Sequence, residues 1–141
     1  VILPRGEKHI MTTSIKGKTP LVLHGTQAAS TTAQTRGMER RPGIDKNTAG
    51  ARKIWLGHVT CAPNTLGPPH HHGEAETAAY VLSGRIRVYF GEGFKEYVDG
   101  GPGDFIFVPA HCPHIEGNVT DEPAEAVLSR GPDNIVVNLA E

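Results

Sequence analysis

From residue 51 onward the apolar positions fall into short runs separated by glycine and proline: "RKIWLGHVTC", "TAAYVLSG", "RIRVYFGE", "KEYVDG", "DFIFVPA", "HIEGNV", "AEAVLSR" and "NIVVNL". They are short β-type runs, and none carries a sustained i, i+3, i+4 apolar stripe. The pattern predicts eight strands and no helix. Closely spaced strands with turn signals between them form a sandwich or barrel, and eight fit a double-sheet jelly roll, so the expected fold is all-β. Residues 51–141 form the expected barrel. Before it, residues 11–50 are rich in Thr, Ser, Ala, Lys, Arg and Gly and read as an extended N-terminal arm. The arm's apolar island "PLVLHG" predicts one edge strand, which could exchange with a second copy in a homodimer, and "RGMERRPGIDKNTAG" reads as a polar loop. The first ten residues, "VILPRGEKHI", resemble the remnant of a vector-encoded protease site and carry no fold signal.

A length of 141 residues suits one domain, and a formal net charge of -1 offers no basic surface for nucleic acid. A small neutral or anionic molecule is the expected partner. No apolar run approaches the roughly eighteen residues of a membrane span, and no secretory signal is evident, so a cytoplasmic protein that does not enter membranes is expected. Cys61 and Cys112 are expected as reduced thiols, Cys112 buried and inert.

The chemistry concentrates in "GPPHHHGEAETAAYVLSG", residues Gly67 to Gly84. On a strand, residues i and i+2 share a face, so His70 and His72 project together and His71 projects away. Pro68 and Pro69 hold the approach extended, and the following "GEAE" supplies a carboxylate. Two imidazoles and a carboxylate suit one divalent transition ion: Fe, Mn, Ni, Zn or Cu. A third imidazole is expected from "GDFIFVPAHCPHIEGN", where His111 and His114 are candidates. His24 and His58 lack neighbouring ligands and read as structural, and His9 lies in the leading decapeptide. The glycine-rich "DGGPGD" has no helix after it and reads as a strand connection, not a phosphate loop.

These two segments resemble the paired motifs of the cupin superfamily. The second motif matches at Gly103, Pro109, His114 and Asn118, with His111 where the family has glycine; the first matches at His70, His72 and Gly84. The resemblance implies His70, His72 and His114 as metal ligands. It leaves the carboxylate position open, because Glu76 is three residues beyond His72 whereas counting back from Gly84 lands on Thr77. Glu76 is the preferred ligand, since a nearby carboxylate would be drawn to the cation. His111, at the pocket mouth, is the candidate catalytic acid or base. Tyr80, Phe105, Phe107 and Trp55 are expected to wall the cavity. The implied function is a metal-dependent enzyme acting on a small oxygenated compound, as an oxygenase or by Lewis-acid chemistry (isomerase, lyase or cyclase). The alternative is a metal-containing binding or sensor module without turnover.

Overall fold

The structure is a computed structural model that describes residues 15–25 and 32–139. The decapeptide 1–10, with His9, lies outside the described residues. Among the described residues there are eleven strands: β1 (Met38–Ile44), β2 (Trp55–Cys61), β3 (Thr65–Leu66), β4 (His70–His71), β5 (Glu76–Ser83), β6 (Ile86–Phe90), β7 (Glu96–Gly100), β8 (Phe105–Val108), β9 (Ile115–Asn118), β10 (Ala124–Gly131) and β11 (Val137–Asn138). A 3-10 turn, Glu92–Phe94, lies between β6 and β7. All named pairings are antiparallel.

Five strands form one sheet in the order β1-β2-β10-β5-β8, four form a second in the order β3-β9-β6-β7, and β11 pairs with β4. Strand alternation decides what each sheet buries. On β10 Ala124, Ala126, Leu128 and Arg130 face inward, and on β5 Thr77, Ala79 and Val81 do, while the residues between them are exposed or half-buried. The apolar core joins Ala79, Val81, Ala124, Ala126 and Leu128 to Met38, Trp55, Val59 and Cys61 of the same sheet and to Ile86 of the second. The two sheets therefore face each other as a jelly roll. Gly84 turns the chain from β5 to β6 at φ +71°, and a Cβ there would lie 2.5 Å from the Pro123 carbonyl oxygen, so only glycine fits.

Three local expectations are corrected. The "PLVLHG" island, Pro20–Gly25, forms no strand. The segment read as a polar loop instead supplies β1, which pairs with β2 of the same chain. Its inward positions are Met38, Arg40 and Pro42, so a buried arginine and a proline conceal the alternation. Proline is tolerated because β1 lies at the sheet edge, and the register shifts between Pro42 and Ile44. Phe105 and Phe107 turn away from the barrel interior: they are 81% and 62% exposed, and Phe105 packs on Tyr80 with ring centroids 4.9 Å apart. Val108 pairs with inward-facing Thr77, and that parity turns both phenylalanines outward. Trp55 is fully buried within the core.

Candidate metal centre

The two prolines deliver His70 in extended backbone, where its amide donates to the His114 carbonyl (3.0 Å) and the His114 amide donates back (2.9 Å). This bridge sets the rings side by side, with centroids 4.4 Å apart, and places the His72 ring 4.8 and 5.0 Å from those of His70 and His114. Each imidazole is then turned by one backbone carbonyl: Nδ1 of His70 lies 2.9 Å from the Pro68 oxygen, Nδ1 of His114 lies 2.8 Å from that of Cys112, and Nδ1 of His72 meets that of Ile135. A carbonyl accepts only, so each Nδ1 carries the proton and each Nε2 is left for the interior. Nε2 of His72 and of His114 is buried without a partner, while Nε2 of His70 lies 3.1 Å from Glu116 Oε1.

Glu116 is the carboxylate that completes the group. One ligand atom from each of His70, His72, His114 and Glu116 falls within 4.8 Å of the others, and all four residues are buried. Two converging imidazole lone pairs with no donor to satisfy them, beside a carboxylate, fit a divalent cation. The structure thus brings His70, His72 and His114 together but leaves Glu76 outside, exposed on the outer face of β5. Thr77 is the inward residue, and its hydroxyl accepts from Arg130 Nε at 2.7 Å. The signal for Glu116 was the "HIE" triplet, since i and i+2 share a face leading into β9. His111 is exposed at φ 56°, donates its amide to the Gly73 carbonyl and lies 6.4 Å, ring to ring, from outward-facing His71, away from the group. His58 sits on the outer sheet face 3.4 Å from Glu125. His24 is exposed outside any strand. Both cysteines are free; Cys112 is half-buried where full burial was expected, and burial pushes the Cys61 thiol up to about 12.

Burial, reinforced by the Arg130 charge, pushes the His72 imidazole down to about 3, and burial also lowers His114. Both stay neutral near pH 7, as ligation requires. Burial pushes the Glu116 carboxyl up, but the His70 hydrogen bond and the Arg40 guanidinium, 3.0 Å away, outweigh it and hold it well below the carboxylate range. A pH dependence follows. Between pH 6.5 and 3 unfolded His72 binds a proton that folded His72 does not, so stability falls as pH falls through that window, by up to roughly 5 kcal/mol. Chelator-stripped protein is expected to show this in denaturant titrations stepped from pH 7 to 4, with a smaller loss in a His72→Leu variant. A flat midpoint from pH 7 to 5 would contradict it.

A family model described as "Cupin domain" matches residues 57–129. A germin-like protein, subfamily 2 member 3, of Arabidopsis thaliana is 32% identical over 96 residues, 65% of this chain and 41% of its own length. The chain thus spans less than half of that relative. Among solved structures, the polyketide cyclase RemF of Streptomyces resistomycificus superposes with a TM-score of 0.69 at 24% identity, over 87% of each chain. An oxalate decarboxylase of Bacillus subtilis, a protein described with Mn(II) centres, superposes with a TM-score of 0.62 at 23% identity, over 77% of this chain and 29% of its own. Among the described residues, no helix is long and apolar enough to cross a membrane.

Proposed function

The chain belongs to the cupin family, and from that premise we propose that it is a metal-dependent enzyme acting on a small oxygenated organic compound. The observation that carries the proposal is the set of three carbonyl-oriented imidazoles and one carboxylate, all buried and turned on a common point. His70, His72, His114 and Glu116 would hold the ion. When bound, the ion supplies Lewis acidity toward substrate oxygens or, for a redox-active metal, oxygen activation. The protein's contribution is orientation and dryness. The Nδ1 contacts prevent the rings from turning, Glu116 lowers the charge of the site, and the apolar core beneath it keeps water out. The covering face of Tyr80, Leu82, Phe105 and Phe107 is exposed and apolar, which supports a homodimer, and we place the protein in the cytoplasm.

A second reading, a metal-containing binding or sensor module, draws on the burial of all four groups. One experiment separates them. Full-length protein purified without added metal is expected to contain near one transition ion per chain by elemental mass spectrometry. Oxygen uptake with small oxygenated acids and diketones identifies an oxygenase. Conversion without oxygen uptake identifies Lewis-acid chemistry. Ligand binding without conversion supports the sensor, and failure to retain or take up any ion overturns both readings.

A further inference from the structure

The orphaned polar atoms of the interior are of two kinds. Nε2 of His72 and of His114 are lone pairs lacking a cation or donor, whereas Arg130 Nη2 and Trp55 Nε1 are donors lacking an acceptor. Arg130 is 1% exposed on the inward face of β10, at the end of the strand that pairs with Trp55 of β2 and Thr77 of β5. Its bonded partners are both neutral: Nε donates to Thr77 Oγ1 and Nη1 to Asn134 Oδ1. Asn134 in turn donates to Thr32 Oγ1 (2.6 Å) and the Ala33 carbonyl (2.8 Å), so the guanidinium is held rigidly. Among the described residues, the buried carboxylates are already engaged, Glu116 with Arg40 and Asp45 with the amides of Asn47 and Thr48. Arg130 is tied to the metal group through one short segment: its Nη1 donates to Asn134, and the carbonyl of the next residue, Ile135, orients the His72 ring.

A buried guanidinium whose hydrogen-bond partners are all neutral, and which keeps a spare N–H, is costly unless something anionic completes it. We propose that Arg130 is an anion-recognition residue, whose Nη2 holds a carboxylate or enolate oxygen of the molecule that occupies the barrel interior beside the metal group. The substrate class is thereby narrowed from oxygenated compounds in general to small organic acids. This rests on the reading of the interior as a ligand site.

The test uses malonate and its uncharged counterpart malonamide, titrated calorimetrically into the full chain, both chelator-stripped and zinc-loaded. Malonate is expected to bind at least tenfold more tightly than malonamide in both forms, and Arg130→Gln is expected to erase that difference while Arg130→Lys keeps part of it. In His114→Ala the metal-dependent part of the affinity is expected to vanish and the Arg130-dependent part to persist, which separates failure of this inference from failure of the metal assignment. Equal affinity for malonate and malonamide in the unmodified chain overturns it, whether or not Arg130→Gln folds. So does undiminished malonate affinity in a folded Arg130→Gln protein.

Discussion

His114→Ala is expected to lower metal affinity by more than 100-fold, and His72→Ala equally. The reasoning starts from the Nε2 atoms. Each is buried, has no hydrogen-bond partner, and is aimed by a carbonyl contact at Nδ1. Loss of a residue that merely orients a ligand costs about 10–100-fold in affinity, and removal of the ligand atom itself must exceed that. His71→Ala and His111→Ala are the controls, because both rings lie outside the group and turn toward each other. Elemental analysis after dialysis, with circular dichroism to verify folding, reads the result. Full metal retention by both His72→Ala and His114→Ala would mean that the ligands have been assigned wrongly.

Strand parity and two prolines placed His70 and His72, whereas His114 was told apart from His111 only by the resemblance to the second cupin motif. His70 and His72 had to share a face whatever the fold, and both are buried. The carboxylate was not legible by that route. Glu76 and Thr77 are adjacent, so they must face opposite ways, and which one turns inward depends on the pairing of β5 with β10: Thr77 meets Arg130, which is inward. Cross-strand register is a tertiary property, and the same register turned Phe105 and Phe107 to the outside against the expectation from their hydrophobicity. β1 was hidden for a related reason. Arg40 occupies an inward position that a hydropathy pattern assigns to solvent, and its reason for being there, Glu116, lies 76 residues away. Sequence periodicity thus recovered the all-β class and the His70–His72 pair, and missed the interior ion pair.

That ion pair sets the second large effect. Glu116→Leu is expected to destabilise the metal-free protein by about 3–5 kcal/mol, whereas Glu76→Gln is expected to stay within about 0.5 kcal/mol. Glu116 is buried and binds Arg40 at 3.0 Å and His70 at 3.1 Å, and Arg130 adds a second buried cation whose charge acts on it. Removing the carboxylate takes away the charge that Arg40 binds and that also acts on Arg130. Glu116→Gln keeps an acceptor for Arg40 and should cost less, while still weakening metal affinity; Glu76→Gln should not, because that side chain is exposed. The charge argument has its own check. If the penalty arises from the stranded Arg40 cation, Arg40→Met combined with Glu116→Leu should recover most of the lost stability, whereas two independent packing defects would add. Urea denaturation of the four proteins in that cycle measures the coupling. A coupling near zero would mean that the carboxylate is retained for the metal alone, and that Arg40 draws its place in the barrel from Thr35 and its other contacts.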